Sequence, residues 1–305
     1  MKSRFPAEPL YPMEPVTCLK AFDSEQHQYQ VKWDGVRIMV FYDGGKVTIR
    51  NRRLKSRTLQ YPELKIISDL ISFPVILDGE VIALKNGTPS FPQVMRRDRI
   101  QSAETAQLMV SQIPIAYMVF DLLYYQDQSL LQLPWYQRQE ILRNILPSQG
   151  PFHLVENFSQ GIVLFEEICR LGLEGIVAKA TDSVYLTGGK SRHWQKIKNR
   201  PRITCLIGGY TMRGPTINSL LMGLLQEENL LFIGRVGSGL TDEEWTRLTR
   251  ILSAEQRRSP PFINSPRIKG VFWVEPHYSM LIEYGDWTEE SRLRSPVIKE
   301  LSLLR

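Results

Sequence analysis

Residues 29–51 read YQVKWDGVRIMVFYDGGKVTIRN. Apolar and polar residues alternate through VRIMVFY, Asp43-Gly44-Gly45 supplies a tight turn, and KVTIR resumes the alternation. The stretch reads as three short strands, the last two joined as a hairpin. Between the first strand and the Asp34-Gly35 turn stands Lys32, with Arg37 just beyond. A lysine at a strand end is ordinarily a solvated face residue. It becomes a nucleophile when burial or neighbouring cations lower its pKa, and Lys196 and Lys198 are such cations if the two segments meet.

Working outward, Pro62 opens a helical pattern with Leu64, Ile67, Leu70 and Ile71 on one face. Strand patterns follow at 74–84, 115–124 and 175–180, and helical patterns at 134–146 and 159–171. Strands and helices are interleaved without strict alternation, which predicts an α+β domain built on a mixed antiparallel sheet. After residue 200 the texture changes to short strands punctuated by glycine: ITCLIGGY, SLLMGLL, LLFIGRVG and VFWVEPHYSMLIEYGDW. One helix interrupts them, opened by a capping box of Thr241 and Glu244. About five short strands and one helix in about 100 residues fit a small Greek-key barrel such as an OB-fold. Two domains are expected, 1–200 and 201–305.

The 305 residues are 43% hydrophobic and 23% charged, a globular composition. Apolar runs such as SLLMGLL fall far short of the roughly 20 residues that span a bilayer, and MKSRFPAEPLYPMEP lacks the apolar centre of a signal peptide. A cytoplasmic protein with no membrane partner is expected. Cys18, Cys169 and Cys205 lie far apart and form no CxxC pair, so a disulfide framework or zinc ribbon is disfavoured. The net charge of +6 is clustered. Arg50, Arg52, Arg53, Lys55 and Arg57 form one acid-free run, and Lys190, Arg192, Lys196, Lys198, Arg200 and Arg202 another. Either run alone is ordinarily a solvated face; two together point to a polyanionic partner.

Two carboxylates stand at the edges of apolar strands, Glu80 in VILDGEVIAL and Glu174 in GLEGIVAKA. A charge there needs a partner, either a surface arginine or a hard divalent cation that completes its shell with phosphate and water. In HWQKIK, Lys196 and Lys198 project from one face of a strand and can grip a phosphate or line a solvated edge. Phe120, in AYMVFDLLYY, is a core residue or a platform for a nucleobase.

In order, these segments resemble the nucleotidyltransferase superfamily of ATP-dependent DNA ligases, RNA ligases and capping enzymes. The resemblance rests on KxDGxR (Lys32, Asp34, Gly35, Arg37), RN followed by YPEL (Arg50, Asn51, then 61–64), DGE (78–80), FD (Phe120, Asp121), EGIVAK (174–179) and WxKxK (Trp194, Lys196, Lys198). It continues into the C-terminal barrel and is greatest toward the ligase domain of bacterial ligase D-type proteins. It implies a nucleotidyltransferase (adenylation) domain followed by an OB-fold, and an enzyme that seals 5′-phosphate/3′-hydroxyl nicks in duplex DNA. By resemblance, Lys32 is the nucleophile toward ATP and carries AMP. Arg37, Arg50, Glu80, Phe120, Lys196, Lys198 and Arg294 contact the nucleotide, and Glu80 and Glu174 hold Mg²⁺ or Mn²⁺. Arg50, Arg52, Arg53, Lys55 and Arg57 contact DNA. A monomer, working with separate end-joining or repair proteins, is the expected state.

The chain departs from the family pattern at three places. Gln30 replaces a common glutamate, IRNR replaces SRNG, and after Arg294 and Pro296 the RxDK-like ending is absent. That leaves Arg294 and Lys299, with Arg305 at the end of the sequence, as the cations expected to orient pyrophosphate; Arg305 lies outside the described residues. RNA joining or capping is the alternative enzyme, and a non-catalytic nucleic-acid-binding relative the alternative of another class.

Overall fold

A computed structural model describes residues 5–6, 10–85, 87–288 and 290–303. The chain divides into two compact units, Met1–Asn199 and Arg200–Arg305. The strands of three or more residues in the first unit are β1 (Glu14–Cys18), β2 (His27–Val31), β3 (Val36–Tyr42), β4 (Val47–Asn51), β5 (Val75–Lys85), β6 (Ile115–Tyr125), β7 (Phe152–Leu154), β8 (Gly175–Ala180) and β9 (Lys190–Lys198). They form two sheets, ordered β1-β9-β8-β2 and β4-β3-β5-β6, with β7 beside β6. Pairing in these ladders is antiparallel except for β1 on β9 and β7 on β6. The helices are α1 (Phe91–Asp98), α2 (Ala103–Gln112), α3 (Trp135–Ile145) and α4 (Gly161–Arg170).

The strand and helix patterns read from the sequence are present with small shifts at their ends. The pattern opened by Pro62 begins as a 3-10 turn (Pro62–Ile66) and gives one α-turn (Ile67–Leu70), which buries Leu64, Ile67 and Ile71. Helices α1 and α2 are additions. Helix α1 turns Arg97 and Asp98 inward along with Val94, so its buried face is not an apolar one.

Each sheet has one apolar face and one that carries polar groups. On the first, Tyr29, Ile176, Ala178 and Ile197 pack with Leu164 and Ile168 of α4. On the second, Ile38, Val40, Leu77, Val81 and Val119 join one core with Val94 and Leu142 of the helices. Alternation along the strands then sends Gln30, Val177, Lys179 and Lys196, and from the other sheet Arg37, Asp78, Glu80 and Phe120, to the opposite faces. Met39, Ile76, Tyr185 and Trp194 form a smaller cluster on that side.

The second unit contains β10 (Arg202–Arg213), β11 (Thr216–Gln226), β12 (Asn229–Val236), α5 (Asp242–Ser253), β13 (Val271–Val274), β14 (Tyr278–Glu283) and β15 (Val297–Leu303). Long β10 pairs with β11 along one edge and with β14 and then β13 along the other, as expected of a strand that bends round a small OB-fold barrel. The Thr241–Glu244 capping box is formed, and Trp245, Leu248 and Leu252 of α5 enter the barrel core. Residues 297–303, where the family's RxDK-like ending is absent, form strand β15 on the edge of β14. Among the described residues no helix is long and apolar enough to cross a membrane.

Asp121, next to Phe120, is fully buried and bonded by Arg138 of α3 through Nε (2.8 Å) and Nη2 (2.9 Å). Arg138 is itself fully buried, its Nη1 donating to the carbonyls of Leu133 and Ser183. Removing one partner of such a pair strands the other charge. Arg138→Met is expected to lower the unfolding free energy of the first unit by about 3–5 kcal/mol, read from urea midpoints.

Candidate active site

The polar faces of the two sheets line a cleft of about 920 Å³. Lys32 stands at the end of β2, its backbone N–H donating to Gly175 O at 2.9 Å. The tight path on either side excludes side chains. A Cβ on Gly35 would lie 2.1 Å from Val81 O, and Gly175, at φ +147°, would place one 2.1 Å from Ile197 O. Lys32 Nζ donates to Glu174 Oε2 at 2.6 Å, and Lys198 Nζ sits 2.8 Å from Glu174 Oε1. Glu174, expected as a metal ligand, therefore has each oxygen engaged by an ammonium group. A carboxylate between two lysines is already neutralised, and among the described residues no group of three or more His, Cys, Asp or Glu side chains is placed to hold a metal.

Glu80 differs. It lines the cleft and has no hydrogen bond or ion pair among the described residues. Burial pushes its carboxyl up to about 8; Lys32 and Arg37 pull the other way, while Glu174 and Asp78 add to the rise. A half-buried carboxyl without a side-chain partner among the described residues, facing the nucleophile candidate, fits a hard cation or a ribose hydroxyl.

Across β8 and β9, Lys196 lies opposite Val177, and Val177 opposite Gln30, so the three form one row on the cleft wall. Burial, then Lys198 and Lys32, lower the Lys196 pKa. Lys196 and Lys198 share a face as the sequence implied, but Lys198 is paired with Glu174 and is not on the lining. Phe120 lines the cleft, edge-on to Trp194 at 6.3 Å between centroids.

Arg37, expected to contact nucleotide, is held from several sides. Its Nε and Nη2 donate to the two oxygens of Asp78 (3.0 and 2.6 Å), Nη1 to Met13 O (2.7 Å), and Nη2 also to Tyr185 Oη (3.3 Å). Its guanidinium carbon lies 5.2 Å from the Phe120 ring centre. The position shapes the cleft floor and leaves little hydrogen-bonding capacity for a ligand.

The basic run separates into different roles. Asn51 folds it into a loop, its Oδ1 accepting from the N–H groups of Arg53 and Lys55 while Leu54 takes the left-handed φ of 61°. Arg53 and Lys55 are exposed and line the cleft. Arg52 is exposed and paired with Glu14. Arg57, expected on DNA, also lines the cleft, with its guanidinium clamped to buried Asp98 at 2.7 and 3.1 Å, and Tyr61 Oη donates to the same carboxylate. Arg50 lies opposite Met39 on the face that carries Arg37 and Glu80, outside the cleft lining. Arg294 is exposed in a short ladder of the second unit, and Lys299 pairs with Glu283, which also holds Arg200 and Arg202.

The sequence reading assigned no task to Lys179, which is 2% exposed. Its Nζ donates to Phe120 O at 3.2 Å and lies 3.9, 4.5 and 5.6 Å from the ring centres of Trp194, Phe120 and Trp135. Burial lowers its pKa to about 7, against the pull of Asp121 and Asp78 and with the help of Arg37 and Arg138.

A two-unit chain with a nucleotidyltransferase fold, an OB-fold and a lysine at a basic cleft defines a class, and comparison with known proteins gives the family. Residues 11–198 match the ATP dependent DNA ligase domain, and residues 213–302 the ATP dependent DNA ligase C terminal region. The multifunctional non-homologous end joining protein LigD of Mycolicibacterium smegmatis is 32% identical over 90% of this chain and 36% of its own length. LigD of Mycobacterium tuberculosis H37Rv is 31% identical over 89% of this chain and 35% of its own. The crystal structure of the ligase domain from M. tuberculosis LigD superposes with a TM-score of 0.57 at 30% identity, covering 96% of this chain and 95% of that one. The structure of a mycobacterial DNA ligase D complexed with ATP gives 0.55 at 30% identity, covering 97% and 96%. The chain belongs to the ATP-dependent DNA ligase family. It spans about a third of the length of the LigD proteins it matches. Neither family assignment favours an RNA-joining or capping enzyme.

Lys179 generates a pH prediction. Its folded pKa of about 7 lies below the unfolded value of about 10.4, so above pH 7 the unfolded chain holds the extra proton and stability rises with pH. Below pH 7 the buried ammonium is a constant penalty. Lys179→Met is therefore expected to gain most over wild type at pH 6, and to lose that gain by about 1.4 kcal/mol per pH unit between pH 7 and 10. Urea unfolding of both proteins at pH 6, 7.5 and 9 reads the difference.

Proposed function

We propose that this chain seals 5′-phosphate/3′-hydroxyl nicks in duplex DNA, with ATP as the AMP donor and Lys32 as the carrier. The observation that carries the reading is the convergence of Lys32, Glu80, Phe120 and Lys196, from four distant segments, on one cleft. The free amine of Lys32 attacks the α-phosphorus of ATP; an N–P bond forms, the bond to the β-phosphate oxygen breaks, and pyrophosphate departs. Glu174, 2.6 Å from Nζ, is the acceptor nearest the proton that the ammonium must lose. A 5′-phosphate oxygen then displaces the lysine from the α-phosphorus, and the 3′-hydroxyl displaces AMP from the 5′-phosphate. All are in-line displacements, governed by position and charge neutralisation. Lys196 would neutralise the α-phosphate and Phe120 would stack on the base. Lys198 would keep Glu174 in register, Arg50 would meet phosphate from outside the cleft lining, and Arg294 would contact a phosphate of the nucleotide. Mg²⁺ or Mn²⁺, held by Glu80 with phosphate oxygens and water, would supply further neutralisation. The end-joining context named for the LigD relatives, with separate repair proteins as partners, belongs to the same proposal.

Incubation with α-labelled ATP and Mg²⁺, followed by denaturing electrophoresis, is expected to leave acid-labile, base-stable label on the wild type and none on Lys32→Ala. Label retained by Lys32→Ala would overturn the assignment of the nucleophile. For DNA, the exposed pair matters more than Arg57. Replacing Arg53 and Lys55 with Gln is expected to reduce the slope of log affinity for a nicked duplex against log salt by roughly 1–2. Self-labelling should fall less than binding, and an unchanged slope would remove these residues from the DNA contact.

A further inference from the structure

Gln30 is only 2% exposed, yet it lines the cleft. Its neighbours Tyr29 and Val31 turn into the core behind the sheet, so Gln30 is turned to the cleft side. A hydrogen-bonded series of amides runs from it. Gln30 Nε2 donates to Asn157 Oδ1 at 2.6 Å, Asn157 Nδ2 to Gln139 Oε1 at 3.3 Å, and Gln139 Nε2 to the main-chain oxygen of Phe120 at 3.0 Å. Gln139 is buried, and neither it nor Asn157 lines the cleft.

A side-chain amide turned end for end exchanges donor for acceptor with almost no change of shape, so its orientation is set by its partners. Here one end of the series is fixed. A main-chain carbonyl only accepts, so Gln139 must direct Nε2 to Phe120 O and Oε1 to Asn157. Asn157 must then offer Nδ2 to Gln139 and Oδ1 to Gln30. Gln30 has its Nε2 engaged, and its Oε1 accepts from no described group. We infer that Asn157 and Gln139 are positioning residues that hold the Gln30 carbonyl oxygen toward the nucleobase, and thereby make the cleft select a 6-amino purine over a 6-keto purine. The inference rests on the nucleotidyl-transfer reading of Lys32 and on Phe120 as the base platform.

The discrimination is chemical. The adenine amino group donates to an acceptor, whereas guanine would set a carbonyl oxygen against the Gln30 oxygen, two acceptors with no proton between them. Were the series broken, the Gln30 amide could turn and offer Nε2 to that carbonyl. A glutamate at position 30 has no donor to offer in either orientation, so it would select adenine without help from Asn157.

The test compares covalent labelling by α-labelled ATP and α-labelled GTP, each with Mg²⁺, at single turnover. The proteins are wild type, Asn157→Leu, Gln139→Met, Gln30→Glu, and Gln30→Glu combined with Asn157→Leu. The ATP-to-GTP rate ratio is expected to fall at least about tenfold in Asn157→Leu and in Gln139→Met, and to return to within about threefold of wild type in the double variant. If Asn157→Leu does not fold, Gln139→Met, nearly isosteric and away from the cleft, carries the comparison. Equal losses with both nucleotides would reduce the series to scaffolding and overturn the inference. So would a lowered ratio that Gln30→Glu does not restore. Wild-type protein labelled by neither nucleotide would overturn the nucleotidyl-transfer reading itself, a result distinct from labelling with an unaltered ratio.

Discussion

Asp78 has no exposed surface, and the first unit is organised around the neutralisation of its charge. Arg37 from β3 grips both its oxygens, and Tyr185 Oη donates to one of them at 2.6 Å. The same two partners reach the chain just before β1: Arg37 donates to Met13 O, and Met13 N–H donates to Tyr185 Oη at 3.0 Å. Since β1 and β9 lie in one sheet and β3 and β5 in the other, this cluster joins the two. Fully paired, the buried charges fix one arrangement; with any member removed, an unpaired charge remains in a dry interior. Glu80 lies two residues along β5 from Asp78, on the same face and without a side-chain partner among the described residues. One carboxylate is committed to structure and the next is available to a ligand.

The sequence shows most clearly what depends on local alternation. The hairpin around Asp43-Gly44-Gly45, the apolar strands of the second sheet and the capping box of α5 are local, and each is present. The site was legible where resemblance supplied an ordered set of motifs, which is why Lys32, Glu80, Phe120 and Lys196 could be named together. Partnerships across the chain were not legible. Gln30 and Asn157 are separated by 127 residues, and Arg57 and Asp98 by 41, with no periodicity to link them. Helix α1 was hidden because burying Arg97 beside Glu63 and Asp98 beside Arg57 removes the apolar pattern by which helices are recognised.

Charge counting is likewise a poor guide to which cations face solvent. Arg50 to Arg57 look uniform in the sequence, but Arg57 is clamped to Asp98, Arg52 is paired with Glu14, and Arg53 and Lys55 are exposed on a loop tied by Asn51. The asparagine explains the RN element on structural grounds, since its one side-chain oxygen accepts two backbone N–H groups and fixes where the following cations point. Glu174 is the corresponding case among the acids. Its carboxylate is shared between Lys32 and Lys198, a partnership invisible until β8 and β9 are paired.

The strand at 297–303 has a consequence beyond the motif it replaces. It covers the outer side of β14, and its Ile298 N–H donates to Ser238 O just past the end of β12, so the same short segment meets both margins of the barrel sheet. A chain ending before residue 297 would leave β14 with a row of unanswered backbone donors and acceptors. Such an edge is a template for another chain. Shortened versions of this protein would thus tend toward self-association through the second unit, whatever became of the chemistry in the first.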